Sequence, residues 1–177
     1  MQSVKIVITG PYNAGKTTLI KTVSEITVLS TERKVSNPGQ PGEETTVAMD
    51  FGRITIDEDV VLYLFGTPGQ ERFSFMWETL SEGMLGFVIL VDAGSAESIG
   101  EAGKILEFFQ KMSDVPYVVG ANRLKDDQVS ELGEIRNVLK VSDDVPVLPC
   151  NIVEKESVKK LLLGLLFDIL KRVEATA

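Results

Sequence analysis

The sequence contains no histidine and only one cysteine, Cys150, among its 177 residues. Histidine is the usual side chain for acid–base catalysis near neutral pH and a common metal ligand, so its absence excludes both histidine-based chemistries. A single cysteine cannot form a disulfide within the chain, and we therefore expect a reducing compartment. A chain of this length is expected to fold as one domain with a core of its own.

The chain also lacks a long apolar run and an excess of basic residues. The longest apolar stretch, residues 161–167, is far shorter than the ~20 residues needed to span a bilayer. Lys and Arg number 18 against 26 Asp and Glu, and the net charge of −8 disfavours binding to nucleic acid or to an anionic membrane. Neither terminus has the features of a secretion signal or a lipidation site, so we expect a cytoplasmic protein without a membrane anchor.

Residues Gly10–Thr18 form the most informative motif. They read GPYNAGKTT and fit the pattern G-x-x-x-x-G-K-[ST], directly after the apolar run Val4–Thr9. In this motif backbone N–H groups surround a phosphate, and the following helix points its positive end at the same anion. We expect Lys16 to contact the outer phosphates and Thr17 to bind Mg²⁺. The residues expected to bind the nucleotide are Gly10, Asn13, Ala14, Gly15, Lys16, Thr17 and Thr18.

Patterns of strands and helices alternate along the rest of the chain. Thr46–Ile56 and Val60–Phe65 predict a hairpin, whereas Val28–Glu44 predicts a long mobile loop with Pro and Gly near its end. We expect an α/β fold over residues 1–177, with a mostly parallel six-stranded sheet, one antiparallel edge strand and helices on both faces. Apolar runs and helical spacing predict the other main elements, which include strands Gly86–Asp92, Tyr117–Ala121 and Val145–Leu148 and helices Lys16–Ile26, Ser98–Met112, Val129–Leu139 and Glu156–Glu174.

Four further segments lie where a small GTPase requires them, and over essentially its whole length the chain resembles the Ras-like small GTPases. Thr45–Gly52 is similar to the effector loop of that family, in which a threonine closes on Mg²⁺ and the γ-phosphate. The resemblance implies that Thr46 is this threonine, although a threonine there can also simply open a strand. Phe65–Phe73 is similar to the second switch, where Gly69 would donate its N–H to the γ-phosphate and Gln70 would orient the attacking water. A Gly/Pro turn into a helix is the alternative interpretation of that segment.

The metal side of the site departs from the family pattern. Gly66 stands where the family has an aspartate, so the metal would be held by Thr17, Thr46, phosphate oxygens and water. A non-acidic residue followed by Pro-Gly-Gln is similar to the bacterial and archaeal branch of the family, which includes regulators of cell polarity and gliding motility. The one nearby acidic candidate for a metal ligand is Asp92, which is better explained as a residue that caps a loop.

The segment expected to read the base departs further. Asn122 matches the N-K-x-D motif of the family, Arg123 replaces its lysine, and Lys125 stands where the family has the aspartate that reads guanine. Lysine offers only hydrogen-bond donors and cannot accept the guanine N1 and N2 hydrogens. Asp126 or Asp127 would have to take that role, so guanine is expected from the overall resemblance rather than from this motif.

Cys150 and Asn151 lie at the position of a second base-binding segment of the family. The resemblance implies that the Asn151 N–H meets the guanine oxygen. Cys150 matches a serine of the family, and it fits equally well as a small buried residue at the end of a strand.

The resemblance implies a molecular switch that binds GTP or GDP with Mg²⁺, hydrolyses GTP slowly and signals through two switch loops. Lys16, Thr46 and Gln70 would carry the reaction, and Tyr12 would hinder an arginine supplied by another protein. The implied partners are effectors, exchange factors and GTPase-activating proteins, with roadblock-type dimers as activators in the prokaryotic branch. The alternative is a nucleotide-binding scaffold with little turnover or relaxed base specificity. A kinase is disfavoured, because the chain shows neither an arginine-rich lid nor an acid at the third strand.

Overall fold

A computed structural model of the chain describes residues 1–36, 42, 44–128 and 130–177, and for residues 31–36, 44–48 and 126 it describes the backbone alone. Seven strands lie within these ranges: β1 (Gln2–Thr9), β2 (Leu29–Ser36), β3 (Glu44–Thr55), β4 (Val60–Gly66), β5 (Gly86–Asp92), β6 (Tyr117–Asn122) and β7 (Val147–Pro149). They form one sheet in the order β2-β3-β4-β1-β5-β6-β7. Strand β3 is antiparallel to both β2 and β4, and the remaining neighbours are parallel. The predicted mostly parallel α/β fold is confirmed.

Five helices in the described ranges cover the two faces of the sheet: α1 (Lys16–Val23), α2 (Ser74–Ser81), α3 (Ala96–Met112), α4 (Glu131–Leu139) and α5 (Lys155–Thr176). Helices α1 and α5 contribute to the apolar cluster on one face, and α2, α3 and α4 contribute to the cluster on the other. None of these helices is long and apolar enough to cross a membrane.

Strand β5 shows why its sequence is continuously apolar. Phe87, Ile89 and Val91 pack into one cluster, while Val88 and Leu90 pack into the other. A parallel strand that is buried on both faces needs apolar residues at successive positions rather than in alternation. Helix α3 begins two residues before the predicted start, after Ser95, whose side chain accepts a hydrogen bond from the Ser98 N–H at 3.1 Å.

The sheet has seven strands rather than the predicted six because Leu29–Ser36, predicted as part of a loop, forms strand β2. Its register with β3 pairs Leu29 with Phe51 and Ser36 with Glu44. Most of its residues are polar, and an edge strand held by backbone hydrogen bonds to one neighbour carries little apolar alternation to detect. The rest of the predicted loop, residues 37–41 and 43, lies outside the described residues.

The carboxyl ends of β1, β4, β5 and β6 meet at the same edge of the sheet. Thr67, directly after β4, donates its N–H to Ile8 O of β1, and Ala93, directly after β5, donates its N–H to Asn122 O of β6. Open α/β sheets bind their ligands at this edge. The phosphate loop, which follows β1, lies there.

Candidate nucleotide site

The phosphate loop connects β1 to α1, as its sequence predicts. Gly10, Asn13 and Gly15 have φ angles of +147°, +62° and +105°, which turn the chain sharply between the strand and the helix. A Cβ at Gly10 would lie 2.3 Å from Leu90 O, so no side chain fits between the loop and β5. The loop is thereby held close to the sheet, with its following N–H groups at the start of α1.

Lys16 is buried within this loop. Its Nζ donates hydrogen bonds to Gly10 O and Pro11 O, both at 2.7 Å. Burial lowers the pKa of Lys16 to about 8, against the opposing effect of the nearby Asp50 carboxylate. The ammonium lies beside the cavity at the loop, where it can reach a phosphate.

An acid that the sequence interpretation missed lies on the metal side of the loop. Thr17 Oγ1 donates a hydrogen bond of 2.5 Å to Asp50 Oδ2, and Ser30 Oγ donates to Asp50 Oδ1 at 2.8 Å. Asp50 lies on β3 directly opposite Gly66 of β4, and a Cβ at Gly66 would lie 3.4 Å from Asp50 Oδ2. A carboxylate of β3 therefore lies across from Gly66 and contacts Thr17, and the glycine leaves room for it.

The register of the hairpin is the signal that could have identified Asp50. Ile56 donates its N–H to Val60 O at the turn, and each residue of β3 pairs with a residue of β4 counted outward from there. Counting from the predicted turn places Asp50 against Gly66. The other acidic candidate, Asp92, does cap a loop: its Oδ1 accepts the Gly94 N–H at 2.9 Å.

The structure does not bring Thr46 to this point. Its backbone lies within β3, paired with Lys34 of β2, and its side chain lies outside the described residues. It lies four positions before Asp50 along the strand, which corresponds to about 13 Å. The role of Thr46 as a metal ligand stays a prediction.

The segment after β4 packs tightly on the phosphate loop. A Cβ at Gly69 would lie 2.4 Å from Tyr12 N and 2.7 Å from Lys16 Nζ, so Gly69 lies directly against the loop. The indole Nε1 of Trp77 donates a hydrogen bond of 2.7 Å to Pro68 O and ties the segment to α2.

Gln70 is held by a neighbouring arginine. Arg72 Nε donates to Gln70 Oε1 at 2.7 Å, and the Arg72 guanidinium lies 4.7 Å from the centre of the Phe73 ring. Gln70 and Arg72 line the same cavity of 440 Å³ as Lys16, Thr17 and Asp50. The structure thus places Gln70 beside the phosphate loop, and its role in orienting a water stays a prediction.

The predicted base segment is tied to the phosphate loop from the other side. Buried Asn122 donates its Nδ2 hydrogen to Ala14 O at 3.0 Å, and Arg123 NH1 donates to Asn13 O at 3.2 Å. Arg123 also forms an ion pair of 2.6 Å with Asp92. The structure therefore gives Asn122 and Arg123 a positioning role at the loop.

A second cavity, of 790 Å³, lies beside the first and shares Thr18 and Arg123 with it. Cys150 and Asn151 line this cavity. Cys150 is buried, its N–H donates to Ala121 O at 2.9 Å, and burial raises the pKa of its thiol to about 11. The Asn151 N–H, expected to meet a base, donates instead to Ser157 Oγ at 2.8 Å.

Neither Lys125, at the position expected to read guanine, nor Asp127 is among the residues that line the second cavity. Lys125 is exposed, and its N–H donates to Gln128 Oε1 at 3.3 Å. The side chain of Asp126 lies outside the described residues, and Asp127 is exposed. The preference between guanine and adenine stays a prediction.

Comparison with known proteins corrects the resemblance. A family described as conserved hypothetical ATP binding protein matches residues 31–168. An uncharacterized protein of Methanocaldococcus jannaschii is 33% identical over 122 residues, which cover 68% of this chain and 70% of the relative. The assignment to the bacterial and archaeal branch of the Ras-like small GTPases is therefore wrong. The motifs that suggested it are arranged for phosphate binding, and phosphate binding does not identify one family.

The family match begins at residue 31, after the phosphate loop. The loop and the match are therefore separate observations from different parts of the chain, and both indicate nucleotide binding. The matched region covers well over half of the sequence. The chain is accordingly a nucleotide-binding protein that belongs to the family of conserved hypothetical ATP binding proteins.

Proposed function

We propose that the protein is a slow nucleoside triphosphatase that binds GTP with Mg²⁺ and changes the conformation of residues 67–73 when the γ-phosphate is lost. The observation that carries this proposal is the convergence of Lys16, Thr17 and Asp50 on one cavity beneath Gly69. Triphosphate hydrolysis depends chiefly on positioning and on charge stabilisation, which suits a chain without histidine.

The residues at the phosphate loop fit Mg²⁺. The Thr17 hydroxyl and the Asp50 carboxylate are hard oxygen donors in contact with each other. No cluster of three or more metal-ligating acids, histidines or cysteines occurs within the described ranges, and Mg²⁺ at phosphate sites commonly takes only one or two carboxylates together with phosphate oxygens. A bound Mg²⁺ would neutralise charge on the phosphates. Thr46 would join these ligands only if this part of β3 moved toward the loop.

The contact between Gly69 and the phosphate loop supports a response to the γ-phosphate. A phosphate placed between Lys16 and Gly69 needs space that the Gly69 backbone fills, as the short distances to Tyr12 N and Lys16 Nζ indicate. Binding of a triphosphate would therefore push residues 67–70 outward, and the Trp77–Pro68 hydrogen bond would pass that movement to α2. Partner proteins that distinguish the two states would contact this segment. Roadblock-type activators stay a prediction.

The position of Gln70 supports slow turnover. Orienting a water requires the Gln70 Oε1 atom as an acceptor, and Arg72 Nε competes for that atom by occupying one of its two lone pairs. Exposed Tyr12 lies beside the same cavity, where a second protein would have to insert an arginine. Either feature lowers the rate without affecting binding.

A specific observation also favours the alternative of relaxed base specificity. Lys125 replaces the acid that reads guanine, and the family is described as ATP-binding. Adenine has no N1 hydrogen and therefore does not need that acid. The two candidates differ in the base that is bound and share the phosphate site.

A competition titration separates the candidates. Fluorescent GDP bound to the protein with Mg²⁺ is displaced by GTP, GDP, ATP and ADP. A preference of a hundredfold or more for guanine nucleotides supports the proposed substrate. Equal displacement by adenine nucleotides supports the alternative, and a preference for adenine nucleotides identifies an ATPase.

The catalytic part of the proposal is tested by single-turnover hydrolysis of the preferred triphosphate. Asp50→Asn should raise the Mg²⁺ concentration for half-maximal rate by about tenfold or more, since it removes a charged ligand. Asp143→Asn makes the same change at an exposed position away from both cavities and should leave the rate unchanged. An Asp50→Asn protein with unaltered Mg²⁺ dependence would rule out the assigned metal site.

A further inference from the structure

The outer face of α5 carries an exposed apolar stripe, and Lys171 of the same helix places its Nζ over it, 4.4 Å from the centre of the Phe167 ring. Leu163, Phe167 and Leu170 are 49%, 60% and 51% exposed. At about 100° per residue all three point within roughly 60° of one direction, opposite to the side that packs in the core through Leu161 and Leu165. Solvation of three large apolar side chains in one row is unfavourable, and such rows commonly mark an interaction surface.

Charged residues of opposite sign flank this stripe at its two ends along the helix. Lys160 lies about two turns before Phe167 and Glu174 about two turns after it, and both point within roughly 20° of the Phe167 direction. Both side chains are exposed, and the described salt bridges involve neither of them. The face therefore has Lys160 at one end and Glu174 at the other, with the apolar residues and Lys171 between them.

We propose that α5 pairs antiparallel with α5 of a second copy of the chain, around a two-fold axis at Phe167. In that arrangement each Lys160 faces the Glu174 of the other copy, so that the two-fold axis creates two ion pairs. Parallel pairing would place Lys160 on Lys160 and Glu174 on Glu174, and like charges disfavour it.

The size of the face predicts a weak dimer. Helix α5 has 22 residues, which corresponds to a length of about 33 Å. One helix from each copy contributes less than the ~800 Å² per partner of a standard interface, so we expect a dissociation constant on the order of 10–100 µM. Because each copy uses the same surface, the pairing is closed at two copies and does not propagate into fibres.

A charge-swap experiment tests this pairing by sedimentation equilibrium of the full chain from about 5 to about 500 µM, roughly twofold below and fivefold above the expected constants. Lys160→Glu alone places two acids opposite each other, and Glu174→Lys alone places two lysines opposite each other. Each single variant should bind itself at least tenfold more weakly than the unmodified chain. An equimolar mixture of the two variants should dimerise again, because both contacts then join a lysine to a glutamate. Circular dichroism verifies that each variant is folded.

Lys155→Glu is the matched control. It makes the same charge change on the same helix, on a flank away from the Phe167 direction, and should leave the dimer unchanged. An unmodified chain that stays monomeric at 500 µM would overturn the proposal. A dimer that neither single variant weakens, or that the mixture fails to restore, would equally overturn it.

Discussion

The affinity of the protein for nucleotide should fall as the pH rises from 7 to 9, because Lys16 of the nucleotide-free protein loses its proton over this range. Burial lowers the pKa of Lys16 to about 8 from its ordinary value of 10.5. Bound phosphates add negative charge beside the ammonium and raise that pKa again, so binding takes up a proton above pH 8. The uncharged amine has no electrostatic attraction for phosphate, and the affinity of the protein for nucleotide therefore decreases.

The size of the effect follows from the pKa of about 8. The protonated fraction of Lys16 falls from about 0.9 at pH 7 to about 0.1 at pH 9, so the dissociation constant should rise about tenfold if the lysine stays charged in the complex. Few other groups interfere, since the chain has no histidine and the pKa of buried Cys150 is about 11.

Fluorescence titration of the preferred nucleoside diphosphate at half-unit pH steps measures this dependence. Lys16→Arg is the control, because a guanidinium keeps its proton over the whole range and should give a nearly constant affinity. Changes of affinity with pH that the unmodified chain and Lys16→Arg share come from titration of the nucleotide or of protein groups away from residue 16. A profile for the unmodified chain that is as constant as that of Lys16→Arg would refute the assigned protonation of the buried lysine.

Three further outcomes follow from local geometry. Gly69→Ala should destabilise the protein by about 1–3 kcal/mol in thermal unfolding, because its Cβ would lie 2.4 Å from Tyr12 N; unchanged stability would mean that the segment does not pack on the loop. Gly100→Ala, in α3 with nothing within 4 Å of the new Cβ, should stabilise by about 0.5–1 kcal/mol, and a decrease in melting temperature would contradict this. The emission of Trp77, the sole tryptophan, should change when a non-hydrolysable triphosphate replaces the diphosphate, since its indole is bonded to Pro68 O. Identical spectra would show that residues 67–70 do not respond to the γ-phosphate.

Features that depend on neighbouring residues were predictable from the sequence. The turn through Gly10 and Gly15 follows from their conformational freedom, and the strand and helix on either side follow from apolar spacing. The doubly covered sheet follows from the alternation of these elements. The structure confirms this fold.

Features that depend on contacts between strands were harder to predict. Asp50 reaches Thr17 only because the hairpin register sets it opposite Gly66, and a motif search reads each strand separately. Strand β2 was missed because its order comes from hydrogen bonds to β3 rather than from its own side chains. The family was misassigned because the phosphate loop and the Pro-Gly-Gln segment indicate how a phosphate is held and do not distinguish one family from another.

The two hydrogen bonds of Lys16 have a practical consequence for mutagenesis. By donating hydrogen bonds to both Gly10 O and Pro11 O, the lysine side chain fixes the curvature of the loop. Truncation to alanine would leave both buried carbonyl oxygens without that donor, at a cost of about 1–3 kcal/mol for each. Such a variant would lose the shape of its binding site together with the charge, and its failure to bind nucleotide would not report on charge alone. Substitution of Thr17, whose hydroxyl contacts Asp50 at the surface of the cavity, leaves both hydrogen bonds of Lys16 in place. It is therefore the better loss-of-function variant.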